Sequence, residues 1–171
     1  MAGLLIISFV EWAGAFQRPQ HLAIGLARRG RPVTYAGPGF LHRRRRRFDS
    51  GLTLPPGLRV LEPAQLPGAS RSRLVAALND RLMRGALAKL SDEPWDAIIF
   101  NDPRWAATAG SIAARARIFD CMDDLSAASP SARWAQRMER RALAVADRVW
   151  TGTASLAEAL AGRHPHVRFI P

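Results

Sequence analysis

The residues and motifs that this sequence lacks exclude several kinds of protein and of binding site. Cys121 is its one cysteine, which excludes an intramolecular disulfide or a cysteine-rich zinc site and fits a reducing cytoplasm. No apolar run reaches the roughly 18 residues of a membrane-spanning helix. The apolar start lacks the basic stretch and cleavage site of a signal peptide. The phosphate-binding pattern G-x-x-x-x-G-K-[ST] is absent as well.

Lysine is also scarce, whereas arginine is abundant. Lys89 is the only lysine, and arginine brings the net charge of the 171 residues to +11. Guanidinium groups bind phosphate through paired hydrogen bonds, so acidic partners are plausible. The longest basic run is interpreted as a solvated loop or as a contact for an anionic membrane surface or a phosphorylated acceptor. Nucleic acid is the weakest partner, because no aromatic residue interleaves with the run. The run consists of Arg43, Arg44, Arg45, Arg46 and Arg47.

Short apolar runs alternate with helical patterns along the chain. Strands are predicted at residues 4–10, 32–36, 58–62, 96–101, 117–120, 148–151 and 167–170. Helices are predicted at residues 20–29, 71–90 and 131–146, with shorter ones after Asp102-Pro103 and at a capping box that begins with Ser155. The alternation predicts an α/β fold with a doubly wound, mostly parallel, Rossmann-like sheet. The whole chain, residues 1–171, is expected to form a single domain.

Two segments carry further structural predictions. The helix at 71–90 is interpreted as amphipathic, with Arg73, Arg81 and Arg84 mostly away from its apolar side. That apolar side consists of Leu74, Leu78, Leu82 and Met83. The segment 37–56 is rich in glycine, proline and arginine and is predicted to be a loop.

Polar residues follow the ends of four predicted strands. In open α/β sheets, ligands bind outside the carboxyl ends of the strands, so these residues predict a ligand cleft at one edge. Glu11, Trp12 and Gly14 follow the first strand, and Asn101 and Asp102 follow the fourth. The fifth strand ends at Asp120 and is followed by Asp123 and Asp124, and the sixth strand ends at Thr151.

The three aspartates are the most informative of these residues. Like charges this close raise one another's pKa, so the cluster needs a cation, a hydrogen-bonding ligand or a catalytic use. The alternative is a turn with a helix N-cap, a position that aspartate favours.

Several segments together resemble a known family. Residues 16–23 read Phe-Gln-Arg-Pro-Gln-His-Leu-Ala, residues 100–103 read Phe-Asn-Asp-Pro, and residues 119–124 read Phe-Asp-Cys-Met-Asp-Asp. With Ala-Asp-Arg-Val at 146–149 and Thr-Gly-Thr at 151–153, their order resembles the N-terminal half of bacterial glycosyltransferases with two Rossmann domains, the GT-B type. Those that act in cell-surface polysaccharide or teichuronic-acid-like synthesis are the most similar kind.

The resemblance implies a function. In that family the N-terminal domain holds the acceptor, the C-terminal domain holds the nucleotide sugar, and a hexose is transferred in the cleft between them. No metal or other cofactor is expected. The sequence ends at Pro171, where the junction to the donor-binding domain would begin, so we expect an acceptor-side domain that is inactive by itself. The expected acceptor is a cell-surface glycan or a lipid-linked sugar, and the expected location is cytoplasmic, with a possible peripheral place at the plasma membrane.

The chemistry of sugar transfer assigns roles to the candidate residues. A carboxylate must orient or deprotonate the acceptor hydroxyl, which predicts Asp120 and Asp123 as catalytic residues. Positive charge is needed near the departing diphosphate, a role that Arg18 could assist. Many relatives carry histidine where this sequence has Asp120. The alternatives are a non-catalytic binding module that pairs with a separate donor-domain chain and an unrelated flavodoxin-like nucleotide-binding domain.

Overall fold

The apolar runs of the sequence pair as parallel strands. A computed structural model describes residues 3–40, 53–69, 72–90, 93–123 and 132–171. The strands are β1 (Leu4–Ile7), β2 (Val33–Ala36), β3 (Gly39–Phe40), β4 (Leu58–Leu61), β5 (Ala64–Gln65), β6 (Ala97–Phe100), β7 (Arg117–Cys121), β8 (Arg148–Thr151) and β9 (Val167–Phe169). The helices are α1 (Arg18–Arg28), α2 (Arg73–Leu87), α3 (Ala106–Ser111), α4 (Ala132–Val145) and α5 (Ala154–Ala161). Within the described ranges, none of them combines the length and apolar character of a membrane span.

The main sheet has the order β4-β2-β1-β6-β7-β8-β9, and each neighbouring pair is parallel. β1 lies inside the sheet, where Leu4 is level with Val33 of β2 and with Ala97 of β6. Parallel strands that are covered on both faces are apolar throughout, and residues 5–7 of β1 are at most 1% exposed. The predicted mostly parallel, Rossmann-like α/β sheet is therefore confirmed.

Helices cover both faces of this sheet. On one face, Ile6 and Ile99 belong to the same buried cluster as Ala23 of α1. On the other face, Phe100 and Phe119 stack with their ring centroids 5.3 Å apart. This second cluster also includes buried residues of α2, α3, α4 and α5. The two clusters are the layered core that a doubly wound sheet requires.

β1 ends earlier than its apolar run predicts. The strand stops at Ile7 rather than Val10, and Ser8 N donates the next bond to Ala36 O at 2.8 Å. The Ser8 hydroxyl then accepts a hydrogen bond from Val10 N at 3.0 Å, which turns the chain away from the sheet. Val10 remains buried, so the apolar run continues beyond the strand. Every other predicted strand of the main sheet agrees with the structure to within one residue at each end.

A second, two-stranded sheet pairs β3 with β5 and was not predicted. The predicted loop at 37–56 is therefore wrong at Gly39–Phe40, whereas residues 41–52 lie outside the described part of the chain. A Cβ atom at Gly39 would lie 2.4 Å from Glu62 O, so only glycine permits this approach of the two segments. Strands of two residues are too short to show a period of hydrophobicity.

The helix α2 is present, but of its predicted apolar side only Met83 packs on the domain. It spans Arg73–Leu87 rather than 71–90, and Ser72 caps its N terminus. Its buried side carries Met83 and Leu87. Three members of the predicted apolar side are instead exposed to solvent: Leu74, Leu78 and Leu82.

The start of α5 corrects another prediction. Thr153 rather than Ser155 is the N-cap, and its hydroxyl accepts a hydrogen bond from Leu156 N at 3.3 Å. The hydroxyl groups of Thr153 and Ser155 lie 3.2 Å apart. A hydroxyl side chain therefore caps this helix as expected, but it comes from two residues earlier.

Candidate functional site

Two glutamines hold the segment between β1 and α1. Gln17 N donates to Gln20 Oε1 at 3.1 Å, and Gln20 Nε2 donates to Glu11 O at 3.1 Å. Gln20 is fully buried, so its amide group both closes the first turn of α1 and secures the loop after β1. Pro19 lies in that first turn, where its missing N–H removes no helical hydrogen bond. The helix consequently begins at Arg18, two residues before its predicted start.

Arg18 joins α1 to β7. Its Nε lies 3.1 Å from each carboxylate oxygen of Asp120. The side chain of Asp120 is 1% exposed and that of Arg18 is 20% exposed. Because β7 ends at Cys121, Asp120 stands at the carboxyl edge of the sheet. The bond uses the Nε–H group, so the two terminal NH₂ groups of Arg18 are not part of it.

Burial and Arg18 act on the Asp120 carboxyl in opposite directions. Desolvation raises its pKa above the ordinary value of 3.8, and the hydrogen bond and charge of Arg18 offset part of that rise. The other predicted catalytic residue, Asp123, is exposed. Desolvation, rather than repulsion within the aspartate cluster, is therefore the main physical cause of the raised pKa.

Asn101 and Ser8 form a second polar pair, just beyond the ends of β6 and β1. Asn101 Nδ2 donates to Ser8 Oγ at 3.3 Å and lies 3.9 Å from Met122 Sδ. Asn101 is 7% exposed, and its Oδ1 has no hydrogen-bond partner among the residues that the structure describes. A buried carbonyl oxygen without a donor is costly, so Oδ1 is suited to accept a hydrogen bond from a bound hydroxyl group.

The predicted residues after β1 are engaged in the local structure. Trp12 is 8% exposed, and its ring packs edge-to-face on Tyr35 with centroids 4.9 Å apart. Trp12 N donates to Glu62 Oε1 at 2.9 Å. Gly14 N donates to Glu11 O at 3.1 Å and closes a turn. A ligand contact by Glu11, Trp12 or Gly14 stays a prediction.

Asp102 and Thr151 stabilise turns at the same edge. Asp102 Oδ1 accepts a hydrogen bond from Arg104 N at 2.8 Å and so caps the single helical turn at Pro103–Trp105. Its carboxylate also binds the Arg104 guanidinium, and this bond raises the pKa of Arg104. Thr151 is fully buried, and its hydroxyl donates to Thr153 O at 3.1 Å. Both side chains therefore have structural partners of their own.

The remaining predicted residues lie outside the described part of the chain. They are Asp124 and the arginines at 43–47. In the ranges that are described, no three His, Cys, Asp or Glu side chains are grouped closely enough to hold a metal ion.

A cleft of about 690 Å³ opens between α2, the turn at Pro103–Trp105 and α4. Its volume is within the roughly 300–1,000 Å³ of small-molecule sites. Phe9 and Pro38, which follow β1 and β2, place one end of the cleft at the carboxyl edge of the sheet. Trp105 and Trp134 give it aromatic surface. Three arginines also line it: Arg84, Arg104 and Arg141.

Two buried donors belong to side chains of the cleft wall. Within the described residues, Gln65 Nε2 and Trp105 Nε1 have no hydrogen-bond partner, and the residues are 7% and 8% exposed. An unsatisfied buried donor costs roughly 1–3 kcal/mol. The neighbouring Asn79 is satisfied, since it donates to Leu66 O at 2.9 Å and accepts from Leu66 N at 2.8 Å. The segment that carries Gln65 is thus fixed in place, and its amide is suited to bind an oxygen of a ligand.

Sequence reasoning missed this cleft. Its lining comes from segments as distant in sequence as Phe9 and Arg141, so no local motif connects them. The available signal was that Trp105 and Trp134 each directly follow an arginine near the start of a predicted helix. Aromatic and arginine side chains together are frequent in binding surfaces.

Solved structures share this fold at low sequence identity. One is Arabidopsis thaliana UGT89C1 complexed with UDP, with a TM-score of 0.59 and 15% identity over 99% of this chain and 51% of that one. Another is LpCGTa in complex with UDP, with a TM-score of 0.57 and 17% identity over 99% of this chain and 54% of that one. A structure of UGT89C1 complexed with UDP-L-rhamnose has a TM-score of 0.53 and 16% identity over 100% of this chain and 52% of that one.

The chain therefore spans about half the length of the solved structures that it matches. No protein-family model matches it, and no curated protein sequence does. At identities of 15–17% the likeness concerns the fold. The chain has a mostly parallel, Rossmann-like α/β fold, which it shares with about half of each of these structures.

Proposed function

We propose that this chain is the acceptor-side domain of a glycosyltransferase that uses a nucleotide sugar. One observation carries the proposal: the buried Asp120 holds Arg18 at the carboxyl edge of the sheet, in a fold shared with structures solved with UDP. Ligands bind at the carboxyl edge of an open α/β sheet, so the guanidinium of Arg18 lies on the side where a ligand would bind. The donor sugar would be bound by a second domain or a separate chain.

Arg18 is the residue proposed to act on the leaving group. Transfer of a sugar from a nucleoside diphosphate leaves negative charge on the diphosphate, and a fixed guanidinium stabilises that charge in the transition state. Asp120 binds Nε, which leaves the terminal NH₂ groups of Arg18 for the phosphate oxygens. With 1% of its side chain exposed, Asp120 is better suited to position Arg18 than to take a proton itself. Asp123 is exposed and is the remaining candidate for the base that activates the acceptor hydroxyl.

The cleft between α2 and α4 is proposed to hold the acceptor. Tryptophan faces pack against the apolar faces of sugar rings or against a lipid chain, and arginines bind carboxylate or phosphate groups. The cleft offers both, with Trp105 and Trp134 beside Arg104 and Arg141. These features support an acidic glycan or a lipid-linked sugar phosphate, as the resemblance to bacterial cell-surface polysaccharide enzymes implies. Substrate contacts by Glu11, Trp12, Gly14, Asn101, Asp102, Asp124 and Thr151 belong to the same proposal.

The test is sugar transfer by the complete product of the gene that encodes this chain. Radiolabelled nucleotide sugars are offered with membrane lipid extracts and with soluble glycans as acceptors. The expected result is transfer that is lost in Trp105→Ala and Trp134→Ala and kept in Phe169→Ala, an exposed aromatic residue at the far edge of the sheet. Transfer to no acceptor, or equal loss in all three variants, would contradict the proposal.

One observation favours a second function, a binding module without catalytic residues of its own. Both oxygens of Asp120 are engaged by Arg18, so this carboxylate can serve structure alone. A module of this kind would bind the acceptor and leave the chemistry to a partner chain. In that case Arg18→Gln would change the melting temperature of the domain without changing the rate of transfer by the complete protein.

A further inference from the structure

The exposed side of α2 is apolar. Leu74, Leu78 and Leu82 are 84%, 43% and 40% exposed, and a spacing of four residues aligns them along one side of the helix. Scattered exposed leucines are ordinary in a protein surface, but three in a row on one helix form a continuous stripe. We call these residues the leucine stripe.

The leucine stripe is not needed to hold α2 on the domain. The opposite side of the helix does that, through Met83 and Leu87, which are at most 1% exposed and belong to the core. Asn79 adds two hydrogen bonds to the main chain of Leu66. A helix anchored in this way presents its second apolar side to solvent, where that side can contact a surface outside this domain.

The charged groups beside the leucine stripe are positive. Arg81 is exposed and directly precedes Leu82 of the leucine stripe, and Lys89 is exposed just after the helix. Asp80 is the only acidic residue of α2, and it is engaged by Arg84 and by Thr108 of α3. Among the residues that the structure describes, no carboxylate forms a salt bridge with Arg81 or Lys89, so the outward side of α2 combines leucine with positive charge. The whole chain has a net charge of +11.

We propose that α2 docks this domain on an anionic lipid membrane. Helices that lie in the membrane interface have leucines on one side and basic residues beside them, and their binding combines apolar burial with attraction to acidic lipids. A second copy of the chain fits the surface less well. Pairing of two leucine stripes would bring Arg81 and Lys89 of both copies together without a carboxylate from α2 to neutralise them.

The docking surface borders the cleft. Ala76 and Ala77 of α2 line the cleft, and Leu74 and Leu78 lie within one turn of them. Membrane docking would therefore bring the cleft next to the lipid surface, where a lipid-linked acceptor is found. This last consequence rests on the proposed function, whereas the docking itself does not.

The test is co-sedimentation of the chain with vesicles. Vesicles of phosphatidylcholine with 30% phosphatidylglycerol are compared with pure phosphatidylcholine, at low and at physiological salt. Binding is expected to the anionic vesicles only and to weaken with salt. Replacing the three leucines of the stripe by glutamine should reduce the partition coefficient by at least about tenfold, since interfacial binding scales with buried apolar area.

A test variant and a control variant remove the same amount of positive charge. Arg81→Gln with Lys89→Gln alters the α2 surface, and Arg137→Gln with Arg140→Gln alters an exposed side of α4. The proposal expects the first pair to weaken vesicle binding more than the second. Equal weakening would assign binding to net charge alone and overturn the proposal.

Sedimentation of the free protein tests whether a second copy of the chain binds to α2 instead. A dimer that dissociates when the three leucines are replaced by glutamine, with unchanged vesicle binding, would show that α2 binds a second copy. Because the changed leucines are exposed, melting temperatures should stay close to that of the parent chain.

Discussion

Arg18 and Asp120 are separated by 102 residues in sequence, yet Arg18 Nε lies 3.1 Å from each oxygen of the Asp120 carboxylate. The contact connects the first residue of α1 with the last but one residue of β7. It fixes the angle of the guanidinium at the carboxyl edge of the sheet. Because Asp120 is almost fully buried, the pair is shielded from the salt that screens surface ion pairs.

Asp120→Asn should reduce turnover of the complete enzyme on the order of 100-fold, the scale for losing one group that stabilises charge in the transition state, because Arg18 would no longer be held in position. An asparagine still accepts a hydrogen bond from Arg18 but no longer attracts its charge. Asp123→Asn is the matched change at the residue proposed as the base, and it should also reduce turnover on the order of 100-fold. Steady-state rates with saturating donor and acceptor give the comparison. Full turnover in Asp120→Asn would remove this residue from the site.

Arg18→Gln tests whether Asp120 works through Arg18. If it does, the double variant Arg18→Gln/Asp120→Asn should be no slower than the slower of the two single variants, because residues that act as a unit are not additive. Independent roles would instead multiply the two losses. The required measurement is kcat for the three variants and the parent enzyme, with the melting temperature of each as a control for folding.

The raised pKa of Asp120 predicts how stability depends on pH. The folded state holds the Asp120 proton more tightly than the unfolded state, so this residue favours folding most below the ordinary pKa of 3.8 and loses that contribution as pH rises through the higher folded value. Asp120→Asn has no such proton. The melting temperature of the variant minus that of the parent chain should therefore increase from pH 3.5 to pH 7. Calorimetry at several pH values measures this difference, and a difference that falls with pH would refute it.

The isolated chain should bind nucleotide sugars weakly. The resemblance implies that the donor is held by the other domain of a GT-B enzyme, and this chain spans about half the length of the matched structures. Titration calorimetry with uridine and guanosine diphosphate sugars should show no dissociation constant in the micromolar range, where binding would exceed about 8 kcal/mol. A micromolar constant would mean that the donor site lies in this chain.

The arginine run at 43–47 predicts a second, purely electrostatic contribution to membrane binding. A basic residue close to an anionic surface contributes about 1 kcal/mol, so replacing all five arginines by serine should weaken vesicle binding strongly. The control replaces five exposed arginines elsewhere, namely Arg28, Arg29, Arg133, Arg137 and Arg140. Vesicle binding that is unchanged in the first variant would show that the run is a solvated loop.

Local patterns in the sequence were sufficient to predict the seven strands of the main sheet and the positions of the helices, but not the two-residue strands β3 and β5. The apolar runs that became β6 and β7 are buried on both faces, and such runs differ clearly from the helical repeats that flank them. The edge that carries Asn101 and Asp120 followed from the polar residues at the strand ends. The partner of Asp120 could not be predicted, because no local spacing relates it to Arg18.

The orientation of α2 shows another limit of sequence patterns. A helical period tells which residues share a side, but α2 has apolar residues on two sides, Leu74 and Leu78 on one and Met83 and Leu87 on the other. The side of α2 that packs is decided by its fit to α3 and β5, and this fit exists only in the folded structure. The cleft was unpredictable for the same reason, since Gln65 and Trp105 meet through long-range packing.

The inner position of β1 has a consequence for the synthesis of this chain. β1 is made first, but its second neighbour, β6, is Ala97–Phe100, and four other strands are made in between. Until β6 has left the ribosome, one side of β1 presents unpaired N–H and C=O groups beside fully apolar side chains, an arrangement that promotes aggregation. Pairing over such a distance along the chain is also slow. Nascent chains that stall or are cut before residue 97 should therefore be captured by chaperones or accumulate as insoluble material.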